Sequence, residues 1–301
     1  MKQFCSIALV LLSLLLALSM LTACGDGNGN TDTTASDTTE DVGSPSAPEI
    51  LITFNGTGYT ASEAGVLSAS GNVLTITKAG RYRLTGTLTN AQLRVDVAKT
   101  EIVELVFDGI NITNQSSAPI YVKSADKVKI ELADGSENVL TDAKTYIFPE
   151  GGDKPNACLY SSEDITISGN GSLTINANYN NGIGSKNDIK IKSGKITVVA
   201  ANNGIKGNQS VEIKGGTLYI TAMDGIKSDS TLLGEGYVEI SGGNVNINAT
   251  DDGIQAFNRV TIVKGALVIV DANDNPINCD NATNIDIAPD SLLIKESESS
   301  Y

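Results

Sequence analysis

The sequence predicts an all-β fold, a right-handed, single-stranded parallel β-helix, and three observations carry that prediction. A short phrase returns through residues 180 to 278: Asn180-Asn181-Gly182-Ile183, Asn202-Asn203-Gly204-Ile205, Met223-Asp224-Gly225-Ile226 and Asp251-Asp252-Gly253-Ile254, with a degenerate copy at Asp274-Asn275-Pro276-Ile277. Its isoleucines lie 22, 21, 28 and 23 residues apart, a period that belongs to stacked repeats. Apolar pairs follow each copy at fixed offsets. Ile189 and Ile191 stand six and eight residues after Ile183, as Val211 and Ile213 do after Ile205, and Val260 and Ile262 after Ile254. A second pair falls at 13 and 15: Ile196 and Val198, Leu218 and Ile220, Leu267 and Ile269. Three short strands per repeat cannot bury their apolar faces alone, but stacked coil on coil they pair and share one aliphatic core. A β-sandwich would not hold one register through five successive units.

Residues 1–24 read as an export signal. Lys2 supplies the positive start, and the apolar run Ile7 to Leu21 is short for a membrane span. It ends in Leu21-Thr22-Ala23-Cys24, which resembles the lipobox of bacterial lipoproteins. By that resemblance Cys24 is lipidated and becomes the first mature residue, so the chain meets a membrane through its lipid anchor only and faces outside. Residues 25–49 are a tether of Gly, Asp, Asn, Thr, Ser and Pro, too poor in apolar side chains to offset the entropy of ordering. The β-helix is expected over 50–301.

Within it, Val73–Thr77, Tyr82–Leu84, Leu93–Val97 and Val103–Phe107 alternate with period two, and Ile110–Ile112 and Val128–Ile130 continue the rhythm. Ala79-Gly80, Thr89-Asn90 and Asp108-Gly109 supply turn chemistry between them. Residues 141–156 read as a loop inserted into one repeat, and such loops often carry function. A six-residue insertion at Thr231–Gly236 brings the Ile226 repeat into line, with Val238, Ile240, Val245 and Ile247 in the apolar positions.

Composition narrows the chemistry. Histidine is absent, which removes the commonest general base, the usual zinc ligand and every Ser-His or Cys-His nucleophile. A formal charge of −14 disfavours nucleic acid as a partner and favours cations, or ligands reached through them. Cys158 and Cys279 fall five coils apart, roughly 24 Å at about 4.8 Å per coil, too far for a disulfide.

Equivalent positions of a β-helix stack in columns. The two residues before each glycine make an acidic and amide column in which Asp224, Asp251, Asp252 and Asp274 are candidate calcium ligands, with Asp229 and Asn203 as outer members. Stacked carboxylates repel and need compensation, and an ion with oxygen ligands at about 2.4 Å can reach two coils about 4.8 Å apart. The plainer alternative is a set of Asx turns holding no ion. The residue after each isoleucine forms a neighbouring column, Tyr121, Tyr160, Gly184, Lys206, Lys227, Gln255 and Asn278. Of these, Tyr121, Tyr160, Lys206, Lys227 and Gln255 are candidate sugar contacts, through ring faces, uronate pairing and hydroxyl hydrogen bonds. Here the alternative is a solvated face.

The phrases Asp251-Asp252-Gly253-Ile254 and Met223-Asp224-Gly225-Ile226-Lys227-Ser228-Asp229, with Asn156-Ala157-Cys158-Leu159-Tyr160-Ser161, Ala79-Gly80-Arg81-Tyr82, Ser117-Ala118-Pro119-Ile120-Tyr121 and Asp134-Gly135-Ser136-Glu137-Asn138, resemble the β-helical carbohydrate-binding domain proteins of bacterial surfaces. The resemblance covers about residues 50 to 290. It implies binding of cellulose or acidic, pectin-like polysaccharide, bound calcium, and kinship with family 9 pectate lyases. The two earlier copies carry Asn-Asn where that family often has Asp-Asp. The expectation is a monomeric, non-catalytic, calcium-assisted binder of polysaccharide. Its rival is a calcium-dependent lyase with Lys227 or Lys206 as base, although neighbouring carboxylates oppose the lowered pKa such a base needs. A structural or adhesive surface protein is the third possibility.

Overall fold

The computed structural model describes residues 48–295, and the export signal, Cys24 and the tether up to residue 47 lie outside them. The described chain is a parallel β-solenoid. One ladder of ten strands runs its length; its first pair, Leu67–Ser70 with Val73–Ile76, is antiparallel, which leaves nine parallel coils among the described residues. Coils are counted here from Val73–Ile76, so that Gln92–Asp96 opens coil 2, Ile120–Ser124 coil 3, Ala157–Ser161 coil 4 and Asn181–Ser185 coil 5. Ile205–Gly207, Ile226–Ser228, Ile254–Ala256 and Ile277–Cys279 open coils 6 to 9. These strands form the first face. In coil 5, Asp188–Ile191 lies on the second face and Lys195–Ala200 on the third.

The repeats are in register because identical side chains stack. Ile183 pairs with Ile205, Ile205 with Ile226, Ile226 with Ile254 and Ile254 with Ile277. The first four are fully buried, and burying a side chain of this size contributes about 1.5–3 kcal/mol. Ile189, Ile191, Ile196 and Val198 repeat the pattern on the other two faces. Cys158 and Cys279 are buried free thiols in coils 4 and 9.

Two sequence expectations fail in detail. In coil 8 the inward pair is Val268 and Val270, not Leu267 and Ile269: Val245 pairs with Val268 and Ile247 with Val270. The turn before this strand holds one residue more, with Ala266 tucked inside, and a slip of one residue exchanges the two faces of a strand. Asp108-Gly109 is no turn between strands. It is a bulge inside the single strand Ile102–Thr113, where the pairing shifts after Leu84 and Gly109 takes φ 77°.

The first coil is covered by Ile50–Gly56, which pairs in parallel with Gly80–Leu88. Glu49, counted with the tether from sequence, accepts hydrogen bonds from Arg81 Nε at 3.1 Å and Arg83 Nε at 2.7 Å. Those two arginines hold its carboxyl below the usual range, Arg83 foremost.

Candidate functional site

The first face carries both predicted columns. The ladder of outward side chains is continuous: Tyr121 pairs with Tyr160, Tyr160 with Gly184, Gly184 with Lys206, Lys206 with Lys227, Lys227 with Gln255 and Gln255 with Asn278. It also extends backward, since Arg94 pairs with Tyr121 and Thr75 with Arg94. The rule that finds Tyr121 after Ile120 finds Arg94 after Leu93.

The inserted segment 142–156 changes what this ladder can do. Tyr146 anchors it, stacking on Tyr179 with ring centroids 4.1 Å apart and donating to Asp142 Oδ2 at 2.6 Å. Ile147 N donates to Ser116 O, so the segment then crosses the first face as a strap. Its Asp153 accepts from the Tyr121 hydroxyl at 2.7 Å. Tyr121 and Tyr160 pack together with centroids 5.6 Å apart, and only 5% and 6% of their surfaces are exposed. They are thus a wall beneath the strap rather than the open platform the sequence suggests. Burial, and then Asp153, push the Tyr121 hydroxyl up, so it stays a donor.

Beside the strap lies a concavity of about 620 Å³ lined by Tyr121, Asp153, Tyr160, Lys154, Lys186 and Lys206, among other residues. Three of its charged groups are lysines and one is an aspartate. Lys154 and Lys186 are exposed and have no ion pair among the described residues. Lys206 donates to Asp229 Oδ2 at 2.6 Å. Lys154 escaped sequence reasoning because the strap delivers it, and Lys186 because it follows the ladder strand rather than lying in it.

Farther along the same face the charge reverses. Carboxylate oxygens of Asp251, Asp252 and Asp274 lie within 4.8 Å of one another. Asp252 is buried and richly bonded: Oδ1 accepts from the backbone and side-chain nitrogens of Asn275, and Oδ2 from Gln255 Nε2 and Asn278 Nδ2. Those four bonds occupy its acceptor positions. Asp251 and Asp274 face solvent. Partial desolvation, and then the charges of Asp224, Asp252 and Asp274, raise the Asp251 carboxyl above its usual range. Asp224 is buried and receives the Lys227 ammonium at 3.0 Å. Asp229 stands apart from this cluster, with Lys206.

The Asn copies form their own ladder. Asn202 Nδ2 donates to Asn180 Oδ1 at 2.8 Å and Asn203 Nδ2 to Asn181 Oδ1 at 2.7 Å. Two buried side-chain oxygens, Asn203 Oδ1 and Gln255 Oε1, have no hydrogen-bond partner among the described residues. Both are acceptors, which a cation or a ligand hydroxyl can satisfy.

The donor set of the acidic end is all oxygen, carboxylate and amide, which suits a hard cation such as calcium and offers nothing to a metal that prefers nitrogen or sulfur. The chain is thus a parallel β-solenoid, one face of which joins a lysine-lined groove to an acidic cluster. The comparisons agree with that fold class. The model of the carbohydrate-binding domain-containing protein family matches residues 70–296, and the chain belongs to that family. A carbohydrate-binding domain-containing protein of Acetivibrio thermocellus is 48% identical over 280 residues, covering 92% of this chain and 95% of that protein. A polysaccharide lyase-like protein from C. thermocellum, solved as a gadolinium derivative, superposes with a TM-score of 0.79 at 49% identity, covering 82% of this chain and 100% of that one.

Proposed function

We propose that the protein binds acidic polysaccharide without cleaving it, laying the polymer along the first face with its carboxylates toward the groove lysines. One observation carries this reading: Lys154, Lys186 and Lys206 converge on one concavity in a chain of net charge −14. An acidic protein attracts a polyanion only through such a local reversal of sign, or through bridging cations. The tyrosine wall offers ring edges to sugar rings.

Calcium is the second part of the proposal. Asp251 and Asp274 would hold it, with Asp252 fixing the base of the site, and it would offset the repulsion within the cluster and offer a bridging charge to a uronate. The crowding of Asp251 by three carboxylates supports this. The chain would act as a monomer, exported and held to the outside of the cell membrane through Cys24.

Lyase chemistry is the competing reading. It needs an amine lone pair to take the proton next to the uronate carboxyl. Lys227 and Lys206 both donate to carboxylates, at 3.0 and 2.6 Å, and an ammonium so engaged has no lone pair to give. The test compares polygalacturonate with the same polymer methyl-esterified, following retention on the protein and the absorbance of unsaturated products, with calcium and with chelator. Retention of the acid polymer, weaker retention of the ester and no product are expected. Product that disappears in Lys227→Ala or Lys206→Ala would establish a lyase, and no retention of either polymer a scaffold.

A further inference from the structure

The strap does not close one end of the groove; it divides the first face in two. On its far side, toward coils 1 to 3, lies a second concavity of about 370 Å³ that shares Tyr121 and Asp153 with the first. Its floor is Arg94, with Lys123 and Gln92 beside it, and its outer wall is Ile147 and Phe148 of the strap.

Arg94 is the feature that needs a partner. The chain has four arginines, at 81, 83, 94 and 259. Arg81 pairs with Glu49, Glu104 and Glu131, Arg83 with Glu49 and Asp108, and Arg259 with Glu239. Arg94 alone makes no ion pair among the described residues, and its hydrogen bond there is from Nε to Thr75 Oγ1 at 3.1 Å. That bond leaves both terminal nitrogens without a partner among the described residues, in a side chain that lines the concavity. Lys123 is partly neutralised by Asp96 at 2.9 Å. Asp153, the carboxylate of the shared wall, accepts from the Tyr121 hydroxyl and forms no ion pair with Arg94 among the described residues. Beside it Gln92 Nε2 donates to Ala118 O at 2.9 Å. In a chain with 35 acidic residues against 21 basic ones, a half-buried arginine with no carboxylate is a site for an external anion. A planar guanidinium fork suits a carboxylate, and Ile147, 73% exposed on the strap above it, suits the apolar face of a sugar ring.

We infer that Arg94 forms a second carboxylate-binding subsite, so that one acidic polysaccharide chain is gripped on both sides of the strap. This rests on the reading of the larger groove as an acidic-polymer site and extends it. Arg94 lies in coil 2 and Lys206 in coil 6, four coils apart, or about 19 Å at about 4.8 Å per coil. The ligand is therefore an extended polymer of several uronate units, not a single sugar.

The experiment titrates polygalacturonate into the wild-type protein and into Arg94→Ala, Arg94→Lys and Lys186→Ala, each checked for an unchanged melting temperature. Arg94→Ala is expected to weaken binding roughly tenfold, the weight of a charge-assisted bidentate contact, and Arg94→Lys to recover part of that loss. If Arg94→Ala destabilises the fold, Arg94→Gln, which can still donate to Thr75, replaces it. Wild-type affinity in the Arg94 variants, together with weakening by Lys186→Ala, overturns the second subsite and leaves the larger groove intact. Failure of the wild-type protein to bind overturns the functional reading itself.

Discussion

At the scale of single residues, the Gly-Ile phrase shows how one position can be required for a reason the sequence does not name. Glycine in such a phrase ordinarily signals a tight turn. None of Gly182, Gly204, Gly225 and Gly253 has positive φ. Each instead lies where the neighbouring coil leaves no room for a Cβ: at Gly225 that atom would collide with the Gly253 carbonyl oxygen and Ile247 Cγ2, and at Gly204 with the Gly225 carbonyl and Ile220 Cγ2. Gly225→Ala is expected to cost about 1–3 kcal/mol, the usual penalty of overpacking. Urea denaturation measures it, and an unchanged midpoint would show that the coils can part.

The acidic residues make a second prediction at this scale. The Asp251 carboxyl is raised in the folded state by partial desolvation and by Asp224, Asp252 and Asp274. A raised carboxyl favours the protonated form of the fold, so its contribution is most favourable at low pH and is lost as pH rises through the folded-state value. A cation restores what ionisation removes, and competes with the proton for the same oxygens. Calcium should therefore raise the melting temperature at pH 7 and raise it less at pH 4. Asp251→Asn should melt higher than wild type without calcium and respond less to it. An equal calcium response in wild type and variant would remove Asp251 from the site.

Elements separate what was readable from what was not. The strands of coils 5 to 8 follow from the offsets of isoleucine and valine, because a narrow core tolerates one side-chain type per position and repeats it. The exception at Leu267 arises where a turn gains one residue, which periodicity alone cannot see. The acidic cluster was half legible. Asp251, Asp252 and Asp274 share a column and do come together, whereas Asp229 follows its strand and turns to Lys206. The strap was recognised only as a loop, because its position depends on aromatic contacts between segments distant in sequence. Tyr146 holds it through the stack on Tyr179 and through hydroxyl bonds to Asp142 Oδ2 and Ala157 O. Tyr146→Phe keeps the stack and deletes the bonds, one of them to a buried carboxyl that burial already raises. A loss of about 1–3 kcal/mol is expected, with faster proteolysis at residues 147–153. Wild-type proteolysis would mean that the stack alone secures the strap.

Over the whole molecule, stacking turns a repeat into a surface with a gradient. Coils 2 to 6 present Arg94, Lys154, Lys186 and Lys206 along the first face, while coils 7 to 9 present Asp224, Asp251, Asp252 and Asp274. Net charge alone would predict repulsion of any acidic polymer. The distribution predicts attraction at one end and a cation requirement at the other. The family assignment is consistent with a carbohydrate ligand, and the proposal that this ligand is acidic rests on the arrangement of the lysines. The two binding regions also predict different sensitivities. Contacts to exposed lysines weaken with salt, whereas a cation-bridged contact is lost to chelator.

The most direct test of the account is the affinity of the purified protein for polygalacturonate, wild type against the double variant Lys154→Ala with Lys186→Ala, across a range of sodium chloride concentrations. Neither lysine has a carboxylate partner among the described residues, so their removal should leave the fold unchanged. The account predicts wild-type affinity that falls steeply with salt, and a double variant at least about tenfold weaker and less salt-sensitive. Equal affinity and equal salt dependence in the two proteins would contradict it.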